Sequence, residues 1–175
     1  VYVCAPPIRK KEDQECLWKA LAEEELQTIA TDQCSFTLAQ KALGKDDFTK
    51  IPGGLPGVQT RGTLIYTYGV REGRITQEQM CKFLSENPAK LYGIYPQKGV
   101  IAPGSDADIV LIDPEKESVI SAATHAYNTD NNPFEGFELK CGIDKVFLRG
   151  NLAVDDGKLV QEKLGKYIFR GKKQI

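Results

Sequence analysis

A single carboxylate follows a segment whose composition is typical of a strand. Residues 26–31 predict a strand, and Asp32 stands directly after its C-terminal end. A carboxylate at such a place is a candidate for acid–base chemistry. The residue type alone favours a simpler role for Asp32, as a turn-former or as the N-cap of a following helix, and both roles stay open at this point.

Two other segments are expected near Asp32. Residues 2–4 predict a short strand that ends at the Ala5-Pro6-Pro7 turn, and residues 12–25 have apolar positions at helical spacing. A strand, a helix and a second strand in this order predict a parallel βα unit, in which both strand ends lie on the face where α/β barrels carry out their chemistry. The stretch 33–59 predicts a long loop, and loops of that length are usually functional or disordered.

Helical patterning continues to about residue 93 and gives way to strand patterning after Gly99. Thr76 to Gln79 has the form of a capping box, and Asn87-Pro88 predicts the start of a short helix that Gly93 ends. The run from Ala107 to Ile112 is apolar on both sides, which is typical of a buried strand. The elements predicted in this part are helices at 60–69 and 76–85 and strands at 107–112, 145–149 and 158–160.

Composition argues against several kinds of partner. The net charge of −1 comes from 23 basic and 24 acidic residues without the basic stripe that nucleic-acid binding requires. No apolar run approaches the ~18 residues of a membrane span, so we expect a soluble protein. The five cysteines are odd in number and contain no Cys-x-x-Cys pair, which favours reduced thiols in the cytoplasm. A chain of 175 residues that starts at Val1 is expected to be a fragment, since a complete eight-stranded barrel needs ~250 residues.

An ordered set of motifs resembles the C-terminal third of the dihydropyrimidinase and hydantoinase family of amidohydrolases. The most family-specific part is Phe48 to Gly54 with Pro56-Gly57 and Thr60-Arg61, whereas Asn87 to Val110 is shared more widely among amidohydrolases. The segments that match in the same order elsewhere are 1–9, 26–36, 132–136 and 146–150.

The resemblance implies an α/β fold and a metal centre. Residues 1–95 would form the C-terminal portion of a TIM-like (β/α) barrel, residues 96–160 part of a small β-sandwich, and residues 161–175 a C-terminal extension. Complete enzymes of the family hold two divalent metal ions, usually zinc, through four histidines, a carboxylated lysine and one aspartate. Because His125 is the one histidine here, the other ligands are expected in a missing N-terminal part of the same enzyme. A homo-oligomer, in the family a dimer or homotetramer, is also implied.

The resemblance also assigns roles to particular residues. Asp32 matches the aspartate that ligates one metal, accepts the proton of the attacking hydroxide and returns it to the leaving nitrogen. Ala5 and Gly53 match positions whose main-chain atoms bind the cyclic imide, although the family commonly has serine and asparagine there. Gln33 stands where the family usually has a histidine that is not a metal ligand. We expect His125 at a surface or interface, and Cys34 as a buried packing thiol rather than a nucleophile.

The implied reaction is the hydrolysis of hydantoins or dihydropyrimidines, which are cyclic ureides or imides, to N-carbamoyl amino acids. The 175-residue chain alone is expected to be inactive, because it carries one of the implied ligands. One alternative is a non-catalytic scaffold similar to the collapsin response mediator proteins, and the retained Asp32 argues against it. A second alternative is an allantoinase or dihydroorotase type of hydrolase, and the stretch 47–61 favours the hydantoinase side instead.

Overall fold

The computed structural model describes residues 1–174, and its helices lie in the first 91 residues. The predicted helices at 12–25, 60–69 and 76–85 are confirmed with shifted ends. Two short helices within the stretch 33–59 were not predicted. The helices are α1 (Lys11–Ala22), α2 (Leu38–Ala42), a 3₁₀ turn (Phe48–Lys50), α3 (Arg61–Ile65) with a π-helical continuation (Tyr66–Arg71), α4 (Gln77–Cys81) with a π-helical continuation (Lys82–Glu86), and α5 (Asn87–Leu91).

The two strands predicted before Asp32 are wrong for this structure, because residues 2–4 and 26–31 belong to no strand. A strand requires a neighbour in a hydrogen-bonded ladder. The backbone bonds of these segments go instead to loops and to a helix: Gly54 N–H donates to Val3 O at 3.1 Å, and Ile29 N–H donates to Phe83 O at 3.2 Å. The predicted parallel βα unit is therefore not formed within residues 1–174.

The start of α4 is the one that the sequence predicts. The Thr76 hydroxyl accepts the Gln79 N–H at 3.2 Å, and the Gln79 side chain accepts the Thr76 N–H at 3.0 Å, which is a complete capping box. The short helix predicted from Asn87-Pro88 is present as α5, but Asn87 is not its N-cap, because its φ and ψ of −64° and −43° are helical and the chain enters α5 from the preceding π-helical turn without a break. Pro88 lacks an N–H to donate, and the turn before it is the wider π-helical one. Gly93 ends the helix as expected, with a φ of +67°.

The second half of the chain forms two antiparallel sheets, a four-stranded sheet in the order β1-β4-β5-β6 and a two-stranded sheet, β2-β3. Positive φ angles at Arg149 and Gly150, and at Asp156 and Gly157, are typical of the tight turns that join antiparallel neighbours. The strands are β1 (Ile109–Asp113), β2 (Ser118–Val119), β3 (Glu138–Leu139), β4 (Gly142–Leu148), β5 (Asn151–Asp155) and β6 (Lys158–Leu159).

The predicted strands at 107–112, 145–149 and 158–160 correspond to β1, β4 and β6, while β2, β3 and β5 were missed. The expectation that β1 is buried is wrong. It is an edge strand of its sheet, and Val110 and Leu111 are 52% and 42% exposed.

The main core joins the helices to the start of β4. Phe83 and Cys141 are fully buried, and Leu21, Tyr66, Ile75 and Met80 pack with them. The core thus contains residues from both sides of the predicted module boundary near residues 95 and 96, and that boundary stays a prediction. Within residues 1–174, no helix is both long enough and apolar enough to cross a bilayer.

Candidate active site

Three segments that are distant in sequence meet where the resemblance predicts the site. Gly54 N–H bonds to Val3 O, and Cys34 N–H bonds to Leu55 O at 3.2 Å. A Cβ built on Gly53 would lie 3.7 Å from Ala5 N, so Ala5 and Gly53 are neighbours. The structure therefore brings the Ala5 turn, the glycine-rich loop (residues 51–57) and the segment that follows Asp32 together.

Gly54 shows why the loop can approach so closely. A Cβ at this position would lie 2.3 Å from Cys34 O and 2.7 Å from Cys34 Cβ, distances that no side chain tolerates. Its φ of +156° also lies in a region that favours glycine. The glycine therefore allows the loop to lie against the residue two positions after Asp32.

Asp32 itself is exposed and has a φ of +44°, one of five positive φ values at non-glycine residues among residues 1–174. Aspartate tolerates this left-handed conformation better than most residues, and such backbone strain is concentrated at functional sites. Within residues 1–174, no hydrogen bond or ion pair involves its carboxylate. The N-cap of the following helix is Thr37, so the simpler capping role is wrong.

Gln33 connects this position to the glycine-rich loop. Its side-chain Oε1 accepts the N–H groups of Gly57 at 2.7 Å and Val58 at 3.0 Å. The residue next to Asp32 therefore fixes the end of the loop. A neutral amide is sufficient at position 33, because this role requires only a hydrogen-bond acceptor.

Lys41 is a second connection, and sequence reasoning missed it. The side chain is 6% exposed, and its Nζ donates to Val3 O at 2.7 Å, Pro52 O at 2.6 Å and Gly54 O at 2.9 Å. Burial lowers the pKa of Lys41, and the nearby thiols of Cys4 and Cys34 act in the opposite direction. The one available signal was the Thr37-Leu38-Ala39-Gln40 capping box, which predicts α2 and so places Lys41 on a helix.

The described residues do not by themselves form a metal site. No group of three or more His, Cys, Asp or Glu side chains in residues 1–174 is arranged to hold a metal ion. Asp32 is a free, exposed carboxylate of the kind that divalent metals bind, but it stands alone. The implied pair of metal ions therefore does not fit this chain without ligands from elsewhere.

Cys34 lies within this arrangement, whereas His125 lies in a separate segment. The Cys34 side chain is exposed, so the expectation that it is buried is wrong. The ring of His125 is partly buried against Tyr127, and its Nε2 lies 2.9 Å from Thr129 O. A carbonyl oxygen can only accept, so Nε2 carries the proton and His125 holds its own segment in place.

An apolar cavity of about 360 Å³ lies beside the site. Its wall includes Thr31, the residue before Asp32, and Pro56 and Gly57 of the glycine-rich loop, and Trp18 and Phe134 line other parts of it. The Arg61 guanidinium donates to Ile29 O at 3.3 Å and so connects α3 to the segment that leads to Asp32.

Comparison with known proteins shows to which family the chain belongs. The model of the "Amidohydrolase family" matches residues 3–153. A D-hydantoinase of Geobacillus stearothermophilus is 46% identical over 173 residues, which are 98% of this chain and 37% of that protein. The chain thus spans little more than a third of the length of this relative.

Solved structures give the same result. The structure of a D-hydantoinase from Bacillus sp. AR9 superposes with a TM-score of 0.94 at 47% identity, covering 97% of this chain and 37% of that one. A dihydropyrimidinase from Brevibacillus agri NCHU1002 gives a TM-score of 0.89 at 46% identity, with coverages of 91% and 35%. The chain belongs to the amidohydrolase family, and the relatives it resembles here are hydantoinases and a dihydropyrimidinase.

Proposed function

We propose that this chain is the C-terminal part of a metal-dependent cyclic amidohydrolase that opens hydantoins or dihydropyrimidines to N-carbamoyl amino acids. The observation that carries the proposal is the convergence of the Ala5 turn, the glycine-rich loop and the Asp32 segment, in a chain 46% identical to a D-hydantoinase. What supports the proposal is that the exposed residues Ala5 and Gly53 are neighbours and that the segment directly after the exposed Asp32 contacts the same loop.

The proposed role of each residue follows from the chemical groups that it presents to the substrate. Water adds its oxygen to the amide carbon, the C–N bond breaks, and one proton must reach the leaving nitrogen. Asp32 accepts that proton and returns it, since its carboxylate has no competing partner in residues 1–174. Main-chain atoms of Ala5 and Gly53 bind the edge of the cyclic imide.

The proposed active form needs metal ions and metal ligands beyond those that this sequence provides. Two divalent ions, which we propose to be zinc, would polarise the carbonyl and supply the nucleophile, with ligands from an N-terminal part of the same TIM-like barrel. Exposed apolar side chains such as Phe48 (80%) and Ile101 (83%) are candidates for contact with that part or with another subunit of a homotetramer. The five free cysteines favour a reducing cytoplasm.

The test is a substrate panel on the protein that carries this chain together with its adjoining sequence, loaded with zinc. Hydantoin, 5,6-dihydrouracil, allantoin and dihydroorotate are offered, and the carbamoyl product is measured by mass spectrometry. We expect hydantoin or dihydrouracil to be opened with at least roughly tenfold higher kcat/KM than the other two. A zinc-loaded protein that opens none of them would refute the proposal, and a preference for allantoin or dihydroorotate would replace its substrate.

A further inference from the structure

We propose that Lys41 is a positioning residue that aims the main-chain groups of Gly53 at the substrate. The inference rests on the proposed function, because it concerns the same site. It is carried by the three hydrogen bonds from the Lys41 ammonium to the carbonyl oxygens of Val3, Pro52 and Gly54.

All three N–H donors of the Lys41 ammonium make hydrogen bonds. A lysine has three N–H donors, and each of them meets one carbonyl at 2.6–2.9 Å. No carboxylate in residues 1–174 pairs with Lys41, and the only aromatic contact described is the Phe36 ring, whose centroid lies 5.5 Å from Nζ. The buried charge is therefore balanced by backbone carbonyls, so its effect is to fix their directions.

Hydrogen bonds fix the orientation of the peptide planes on either side of Gly53. In a trans peptide the C=O and the following N–H point in opposite directions. Lys41 holds Pro52 O, so the Gly53 N–H of the same plane points away from Lys41. The Gly54 N–H donates to Val3 O, so the Gly53 C=O of that plane points away from Val3. Both main-chain groups of Gly53 thus face the side opposite the Lys41 contacts.

The N–H and the C=O of Gly53 remain available to a ligand. Gly53 is exposed, and within residues 1–174 neither its N–H nor its C=O bonds to another backbone group. One donor and one acceptor on the same residue complement the C=O and N–H of a cyclic imide or ureide. Loss of the Lys41 bonds would let the planes rotate, which weakens substrate binding and leaves the Asp32 carboxylate in place.

The test compares Lys41→Met, which keeps the volume and removes all donors, with Lys41→Gln, which keeps two donors for three carbonyls. Lys45→Met is the control, because Lys45 is exposed on the same stretch of chain and its side chain makes no hydrogen bond or ion pair within residues 1–174. Two quantities are measured: amide hydrogen exchange over residues 52–58 in the full chain, and kcat and KM for hydantoin in the zinc-loaded enzyme that contains it.

We expect faster exchange over residues 52–58 in both Lys41 variants, and a KM raised about tenfold in Lys41→Met with kcat changed less than about threefold. Lys41→Gln should raise KM less, and it carries the test if Lys41→Met does not fold. Lys45→Met should match the wild type in both measurements.

Unchanged exchange in the Lys41 variants would overturn the inference, because the loop would then be held by other contacts. Faster exchange with an unchanged KM, or with a fall in kcat larger than the rise in KM, would also overturn it. An inactive wild-type enzyme would refute the proposed function, and faster exchange in that case would leave Lys41 a purely structural residue, contrary to the inference.

Discussion

Gln33 shows at the residue scale how the site is held by side chain to backbone bonds. Its Oε1 accepts two N–H groups, from Gly57 and Val58, and Gly57 is buried. A buried N–H without a partner costs free energy, because water cannot replace the lost acceptor.

We predict that Gln33→Ala lowers the free energy of unfolding by about 1–2 kcal/mol, as measured by urea denaturation. Gln14→Ala is the matched control, since Gln14 is exposed on α1 and its side chain makes no hydrogen bond within residues 1–174. Equal stability of the two variants would show that the Gln33 bonds do not hold the loop.

Asp32, Ala5 and Gly53 could be named from the sequence because they stand in motifs that resemble a known family. Lys41 could not be named in that way. Its role depends on carbonyls from residues 3, 52 and 54, and only the folded chain brings these together. The exposure of Cys34 was missed for the same reason, since local composition does not report which side of a loop meets solvent.

At the scale of elements, the ends of helices and strands were predictable where one residue type determines them. Thr76 begins α4, Gly93 ends α5, and Asp156-Gly157 turns the chain between β5 and β6. The segments 2–4 and 26–31 have strand-like sequences but no ladder, because pairing depends on neighbours that local sequence cannot supply.

The capping box of α4 gives a test at this scale. Thr76→Ala removes the acceptor of the Gln79 N–H and should lower the free energy of unfolding by about 1 kcal/mol. Thr28→Ala, at an exposed position outside any helix or strand, serves as the control in the same denaturant series. A Thr76→Ala variant as stable as Thr28→Ala would mean that the cap contributes nothing.

The loop before β1 has a charged cluster that makes stability depend on pH. The Lys98 ammonium lies 2.9 Å from Asp106 and also bonds Asp108, and its hydrogen bond holds the pKa of Asp106 below the usual range while burial opposes this. A lowered folded-state pKa means that the stabilisation is fully present above the pKa of the unfolded carboxyl. It is lost as the pH falls through the lower folded-state pKa.

Thermal unfolding as a function of pH checks this sign. Asp106→Asn should have a lower Tm than wild type at neutral pH, and the difference should vanish at strongly acidic pH. Asp46→Asn, at an exposed carboxyl that makes no hydrogen bond or ion pair within residues 1–174, should follow the wild type throughout. A difference that persists in acid would assign the effect to packing rather than to charge.

At the scale of the whole molecule, the chain has one shared core and much uncovered apolar surface. Phe83 and Cys141 anchor the core, whereas Leu43 and Phe48 are 73% and 80% exposed. The resemblance covers nearly the whole chain, so family membership was predictable. The number of strands was not, because short strands such as β2 and β3 carry little signal of their own.

The isolated 175-residue chain should bind no stoichiometric zinc and open no hydantoin. The reason is that residues 1–174 contain no cluster of three or more potential ligands around Asp32 or elsewhere. Metal analysis after dialysis, with the ring-opening assay on the same sample, checks both. One tightly held zinc per chain that disappears in Asp32→Asn would show that the chain makes a metal site without a partner.

The most direct measurement is the kcat/KM for hydantoin of wild type and Asp32→Asn, at equal zinc content, in the protein that carries this chain with its adjoining sequence. We predict a fall of roughly 10²–10⁴-fold with unchanged thermal stability, since the Asp32 carboxylate is exposed and unpaired within residues 1–174. An Asp32→Asn enzyme with wild-type kcat/KM would contradict it.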